Sequence, residues 1–533
     1  MRIASVDEVR EGIIYVTMAS EARGTPLRGQ YVTVRSGKDI VLGRLREINL
    51  TNPIHSNPLF KPWLMVNGRL EHWSSEVDIE QGVIEEIDRR SENGDALISQ
   101  TNPRSGTEVM LASAEDINRF YSDSDYWLAL GEIPYSDIPL TVVNRDFGKY
   151  SEGGHGEAKH WAIFGQSGSG KSVFATMRIS GLLVRHPRMG LLIPDTAGDL
   201  SDPTRHDRGE FRWNYATVLR SGGVKLETID IGEIRLTEKP TLELLLEPVL
   251  KEAFRMGDKQ ASSLTENVVE DLFESYLKSE NITPEDIFAA VQRQILSVYA
   301  EKTRQEKVRD VNQFHDNPAT WNPWVRKIQH VREFFDGREN LRHLVKDVLE
   351  KGRKVIIRMQ GMIERDQAFV IKEVMHHIWN QSKIIYKNGK ETANALVVLD
   401  EAHNWVPQEG EGTYETAKSI VRAFKETRKY GLGWMVISTR PAAVKKDVIS
   451  DAHTKYFGCG LGVGADAAHL KDILGEDGEK TYKRLQSRNK FFFVGTGDDA
   501  NLGRSYFALQ MFGGDATKKF MEANSHIFMG VTV

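Results

Sequence analysis

The sequence predicts an α/β chain in which a mainly parallel sheet, covered by helices, follows a small β-rich domain. Three observations carry this expectation. From His160 onward, short apolar runs alternate with longer stretches of helical periodicity, as strands buried between helical layers do. Ahead of that point, short runs of alternating polarity are separated by Gly, Asn and Asp, the pattern of a small barrel or sandwich. Between the two parts, residues 149–157 (KYSEGGHGE) form a glycine-rich linker.

The N-terminal runs lie at 12–18 (GIIYVTM), 30–34 (QYVTV), 40–48 (IVLGRLREI) and 82–87. They are too short and irregular to separate one barrel type from another. Buried strands of the second part are expected at 160–164 (HWAIF), 190–194 (GLLIP), 354–359 (KVIIRM), 395–399 (ALVVL), 433–438 (GWMVIS) and 490–494 (KFFFV). A charged, largely helical stretch between about 240 and 350 separates the second of these from the third, as an inserted subdomain would. The expected organisation is a β-rich domain at 1–145, a core assembled from 146–240 and 350–510, a helical subdomain at 241–349 and a C-terminal tail at 511–533.

Composition narrows the function classes. The 533 residues are 40% hydrophobic and 27% charged, an ordinary globular balance. No run of 18 apolar residues is present and the first residues (MRIASVDEVREG) lack a secretory segment, so no membrane partner and a cytoplasmic location are expected. A single cysteine, Cys459, excludes an internal disulfide and a cysteine-based zinc cluster, and reads as a small buried hydrophobe. The formal net charge of −5 argues against a module that coats nucleic acid with its outer surface. It leaves room for DNA contacts gathered in one place, such as the channel of a ring.

Residues 165–172 read Gly165-Gln166-Ser167-Gly168-Ser169-Gly170-Lys171-Ser172 and fit the pattern G-x-x-x-x-G-K-[ST] in full. A buried strand enters this loop and a helical pattern leaves it. In that setting backbone N–H groups curl around phosphates at a helix N-terminus. Lys171 then reaches the β- and γ-phosphates, and the Ser172 hydroxyl ligates Mg2+. The apolar run 395–399 ends in Asp400-Glu401. Alone, such an ending is more often a strand-to-helix cap. Beside a phosphate loop it is the expected second half of the site, with Asp400 on the metal side and Glu401 as general base for the attacking water. ATP and Mg2+ are the expected cofactors. GTP fits less well, because the N-K-x-D element that reads guanine is missing, and small-metabolite kinases fit poorly in a chain this long with a β-domain in front.

Two further segments are candidates. Asp195-Thr-Ala-Gly-Asp199 stands at the end of the second strand, on the sheet edge where such folds bind ligands. Either aspartate could order water or metal there; a capped turn is the other reading. Arg428 and Arg440 flank the run GWMVIS, and an arginine near a strand end can stabilise charge on a transferring phosphoryl group, often in a neighbouring subunit's site. An ordinary solvated arginine is the alternative. For DNA contacts, the helical pattern 413–429 carries Lys418, Arg422, Lys425, Arg428 and Lys429, the first three near one face, which is also what a solvated face looks like.

The ordered set IFGQSGSGKS, LLIPDTAGD, ALVVLDEAHNWVP and FKETRKYGLGWMVISTRPAAVKKDVIS resembles the HerA branch of the HerA/FtsK motor ATPases, covering 160–200 and 395–450 well and the rest by architecture. In that family the Asp-Glu is typically followed by Ala-His, and an Arg-Lys-Phe/Tyr-Gly element precedes a strand ending in Gln-Arg-Pro. Here stand Asp400-Glu401-Ala402-His403, Arg428-Lys429-Tyr430-Gly431 and Arg440-Pro441. The resemblance implies a RecA-like P-loop ATPase core behind a small N-terminal β-barrel, and a homohexameric ring with ATP at the subunit interfaces and double-stranded DNA in the channel. It implies Arg428 as first candidate for a finger acting in trans, Arg440 as second, and a nuclease or other effector partner in DNA-end processing or antiviral defence. One departure is Thr439, which replaces the glutamine before Arg-Pro and holds water more weakly than an amide would.

These readings lead to an ATP-driven double-stranded DNA translocase or helicase. The alternative is a ring scaffold that assembles and regulates an effector, with hydrolysis as a timer; the acidic charge and Thr439 lean that way. A protein remodeller of AAA+ type is disfavoured, since the arginine-rich elements of its small helical domain are not recognisable.

Overall fold

The computed structural model describes residues 1–53, 57–59, 62, 65–66, 77–97, 101–121, 125–278, 282–388, 393–408, 414–485, 490–500 and 506–528. Six antiparallel strands, β1 (Arg2–Arg10), β2 (Ile13–Met18), β3 (Tyr31–Ser36), β4 (Asp39–Thr51), β5 (Ile79–Ser91) and β6 (Glu108–Leu111), close into a barrel in the order β1-β2-β5-β4-β3-β6. Alternation along these strands puts Ile3, Val16, Val32, Leu45, Ile84 and Val109 inside, all fully buried. Closure removes the exposed edges that an open sheet of this size would carry.

The second part is one eleven-stranded sheet. Its strands in chain order are β7 (Trp127–Glu132), β8 (Pro139–Val143), β9 (His160–Phe164), β10 (Gly190–Asp195), β11 (Glu227–Asp230), β12 (Lys354–Arg358), β13 (Ala395–Leu399), β14 (Leu432–Ser438), β15 (Thr454–Phe457), β16 (Phe492–Gly497) and β17 (Phe507–Met511). In space they run β11-β12-β10-β13-β14-β9-β15-β16-β17-β7-β8. The pairs from β11 through β15 are parallel, and those from β15 through β8 are antiparallel. The expected mainly parallel sheet behind a small barrel is therefore what the chain forms.

Both faces of this sheet are covered, which is why its central strands are apolar on every residue rather than on alternate ones. Trp161, Ile163, Leu191, Ile193, Met435 and Ile437 pack on one face with the helix Lys171–Arg185. Ala162, Phe164, Leu192, Val397, Leu399 and Trp434 pack on the other, beneath the helices Glu364–Lys387 and Tyr414–Thr427 and the helical region. That region, Lys239–Ala253 to Pro318–Glu333, builds its own aromatic centre from Phe254, Phe288, Phe314 and Trp324.

Two boundaries differ from the expected ones. β7 and β8 fall in the span assigned to the N-terminal domain, yet they pair with β17 and each other in the large sheet; both are short and buried along most of their length, and local sequence does not say which sheet such a strand joins. The expected tail is packed structure as far as Phe528: Asn524 accepts a hydrogen bond from Ala129 N–H (2.7 Å) and donates to Ala129 C=O (2.8 Å), pinning the helix Ala516–Ala523 to β7. Residues 529–533 lie outside the described residues. The barrel is joined to the core through Arg44, which pairs with Glu85 (2.8 Å), donates to Tyr506 C=O (2.9 Å) and covers the Tyr506 ring.

Candidate active site

In a parallel sheet the carboxyl ends of the strands share one edge, and the loops leaving them make the site. Here β14 lies between β9 and β13, so Phe164, Leu399 and Ser438 end side by side (Ser438 opposite Phe164, Leu399 opposite Val436). This order brings the 165–172 loop, Asp400-Glu401 and Thr439-Arg440 to a common edge, with Asp195 at the end of β10 on that same edge.

The loop that follows β9 turns back on itself, Ser169 N–H donating to Gln166 C=O (3.1 Å), and is fixed from outside by Gln166 N–H to Cys459 C=O (2.9 Å). Gly168 and Gly170 take φ of +81° and +96°. At Gly170, which caps the helix Lys171–Arg185, a Cβ would come within 2.6 Å of Phe491, so glycine is required for backbone angle and for space. Lys171 sits almost buried at the first helical position and donates to Gln166 C=O (3.3 Å). Burial lowers the Lys171 pKa, while the carboxylates of Glu401, Asp400 and Asp199 act against that shift. A cation held at the N-terminus of a fifteen-residue helix, beside orphan N–H groups, is an arrangement that attracts an anion.

Opposite the loop, Asp400 is 3% exposed and accepts a hydrogen bond from Glu401 N–H (2.8 Å). Burial pushes its carboxyl up to about 7; the Glu401 N–H opposes the shift, and the charges of Glu401, Asp195 and Asp199 reinforce it. Glu401 has φ of +46°, a strained backbone for a residue with a side chain, of the kind that gathers at functional sites. Its Oε2 is buried and accepts no hydrogen bond among the described residues. His403 Nδ1 lies 3.3 Å from that oxygen and 3.2 Å from Ser438 Oγ. Ser438 Oγ in turn meets the Arg440 backbone (3.4 Å), and Arg440 Nε donates to Asp466 (3.0 Å).

Between these elements lies a cleft of ≈ 420 Å³. Ser167, Gly168, Gly170, Lys171, Ser172, Asp400 and Glu401 line it; Gly165, Gln166, Ser169 and Asp195, also expected at the nucleotide, are not among its lining residues. Asp199, Arg205, His206, Phe211, Lys490 and Phe491 line it too, of which sequence reasoning singled out Asp199 alone. These arrive from segments far apart in the chain and carry no spacing signature. Asp199 pairs with Arg205 (2.7 Å) at the rim.

Asp195, a candidate ligand, is instead the clasp of its own loop. It is fully buried, and its two oxygens accept from the N–H groups of Gly198 (2.9 Å), Leu200 (3.2 Å) and Ser201 (2.7 Å). The capped-turn alternative describes its contacts. The two arginines part company. Arg440 follows β14 on the sheet edge that carries the cleft, without lining the cleft, whereas Arg428 precedes β14 and so stands at the opposite edge of the sheet, paired with Glu157 of its own chain. On the candidate DNA helix, Arg422 pairs with Glu426 (2.9 Å) and covers Trp379, Lys425 pairs with Asp447 (2.7 Å), and Lys418 is exposed.

The donor set suits Mg2+ rather than a metal with a full protein cage. Among the described residues no group of three or more His, Cys, Asp or Glu could hold a metal ion. Mg2+ needs only one or two protein oxygens when phosphates and water supply the others, and a buried carboxyl pushed up by desolvation is one that a cation would return to its charged form. No described helix is long and apolar enough to cross a membrane.

Residues 158–378 match the family model described as the central domain of the helicase HerA, and residues 339–482 match that of the zonular occludens toxin (Zot). The chain is 20% identical over 477 residues to the DNA double-strand break repair helicase HerA of Pyrococcus furiosus, spanning 80% of this chain and 78% of that protein. Against the protein of the same description from Sulfurisphaera tokodaii it is 22% identical over 440 residues, spanning 80% and 77%. Among solved structures, VirB4 of Thermoanaerobacter pseudethanolicus aligns at 13% identity with a TM-score of 0.42, over 73% of this chain and 97% of that one.

Proposed function

We propose, from the premise that this chain is a HerA-type P-loop ATPase, that it is a motor which uses ATP hydrolysis to move on double-stranded DNA. The observation that carries the reading is the cleft itself, where Lys171 and Ser172 of the phosphate loop face Asp400 and Glu401 across one sheet edge. Lys171 would hold the β- and γ-phosphates, and Ser172 and Asp400 would hold Mg2+, which screens the phosphate charge when bound. Glu401 would take the proton of the attacking water and His403 would orient it. Arg440, which follows β14 on the sheet edge that carries the cleft, is the better placed arginine for a neighbouring site; Arg428 would serve only if the adjoining subunit presents its site to the other edge of the sheet. The motor is proposed to act as a homohexamer with a nuclease or other effector.

A triplex-displacement assay tests the motor. ATP-dependent removal of a third strand from duplex DNA is expected. One observation favours the second reading, a ring scaffold that licenses an effector: Arg422 and Lys425 of the candidate DNA helix are paired within the chain. ATP hydrolysis without displacement under any nucleotide condition would select the scaffold.

A further inference from the structure

One wall of the cleft, beside Gly170, is made of aromatic rings. Phe211 belongs to a short ribbon, Asp207–Arg208 against Phe211–Arg212, and Phe491 directly precedes β16. Their rings stack with centroids 4.6 Å apart and planes 9° from parallel. Both are half-buried and both line the cleft.

Each ring is held by the fold. Phe491 N–H donates to Ser169 C=O (3.3 Å) and its own C=O accepts from Met511 N–H (3.0 Å). Its φ of +73° is an unusual backbone for a bulky residue, kept by the surroundings. The ribbon of Phe211 is tied on its other side, Arg212 N–H donating to Gly514 C=O (2.8 Å) and Thr517 Oγ1 to Arg212 C=O (3.3 Å). Two unrelated segments thus present one aromatic surface beside the helix N-terminus where phosphates would sit.

We propose that the Phe211–Phe491 pair is the platform on which the purine of the bound nucleotide stacks. The inference rests on the reading of the cleft as a nucleoside triphosphate site and names the part that holds the base. Phe491 stands against Gly170 of the phosphate loop, so a nucleotide whose phosphates lay over residues 168–172 would have the pair within reach of its base. Rings this close leave no space between them for a base, so the base lies on the cleft side of the pair. Every base has a π-face, so stacking holds ATP and GTP alike. The pair is a binding element for the base and contributes little to the chemical step.

The test compares Phe491→Ala, Phe491→Tyr and Phe211→Ala in the full chain, with steady-state hydrolysis of ATP and GTP and with inorganic tripolyphosphate as competitor. Phe491→Ala should raise KM for both nucleotides about tenfold, with a smaller change in kcat, and leave tripolyphosphate inhibition as it is in the wild type. Phe491→Tyr should restore the wild-type KM. Phe211→Ala, which leaves the phosphate loop untouched, should give a rise of a few-fold. A parallel loss of nucleotide and tripolyphosphate binding would overturn the proposal and make Phe491 a prop for the loop. Unchanged KM in both alanine variants would overturn it as well. Failure of tripolyphosphate to compete with ATP in the wild-type chain would instead sink the phosphate-site reading beneath it.

Discussion

His403 Nδ1 lies 3.3 Å from Oε2 of Glu401, the proposed general base, and the same nitrogen lies 3.2 Å from Ser438 Oγ at the end of β14. The contact bears on the carboxylate alone, and His403 is not among the residues that line the cleft. His403→Ala should therefore lower kcat for ATP about tenfold with little change in KM, the usual cost of losing a partner that orients a reacting group. His403→Gln, whose amide keeps a polar group beside the carboxylate, should recover part of the loss. A rise in KM with kcat intact would show that His403 serves nucleotide binding instead.

Gly170→Ala combines a φ of +96° with a Cβ placed 2.6 Å from the Phe491 ring. The left-handed backbone alone costs about 1–2 kcal/mol for a residue with a Cβ. The clash moves either the loop or Phe491. A lowered Tm together with loss of ATP binding is expected; an unchanged ATP affinity would mean that the loop geometry does not set the site.

His160 opens β9 fully buried, its Nε2 3.0 Å from Phe424 C=O and its Nδ1 accepting from Trp434 N–H (3.3 Å). A carbonyl can only accept, so Nε2 carries the proton and the ring is neutral. Burial lowers its pKa to about 3, and that of His453, its ring neighbour, to about 4. Both folded values lie below the unfolded value of about 6.5. The stability from these neutral rings is present above about pH 6.5 and is lost as pH falls toward the folded values. Tm should drop between pH 6.5 and pH 4, and His160→Asn should flatten that slope while lowering Tm at pH 7.5. An identical pH slope in the variant would remove His160 from the account.

Lys418 is exposed on the helix Tyr414–Thr427, whereas Lys425 is paired with Asp447. If this helix faces DNA, Lys418→Ala should reduce the slope of log affinity against log salt by about 1, the signature of one lost phosphate contact. Lys425→Ala should change it less. Equal slopes for wild type and Lys418→Ala would take this helix out of the DNA interface.

The parts of the site that were legible in the sequence are those whose chemistry is contiguous in the chain. The 165–172 loop and Asp400-Glu401 each combine an apolar strand with its functional residues in one short segment, and the structure brings the two to one edge. Phe211, Phe491 and Arg205 were not legible, because a stacked pair made from a ribbon and a strand entry exists only after the sheet has formed. Asp195 shows the limit of position alone. It stands at the correct edge, but the backbone turn that follows it claims its oxygens. Arg428 shows the same limit from the other side, since its distance along the chain from β14 does not reveal that it stands across the sheet from the cleft. β7 and β8 are not among the expected strands at all, and their place in the core sheet is fixed by long-range pairing that local sequence does not encode.

The most direct test of the central claim is steady-state ATP hydrolysis by the full chain, with and without linear double-stranded DNA, for wild type, Lys171→Ala and Glu401→Gln. The account predicts a definite basal rate that DNA raises several-fold, and a fall of about a hundredfold or more in each variant. Full activity in either variant would contradict the assignment of the cleft as the site of hydrolysis.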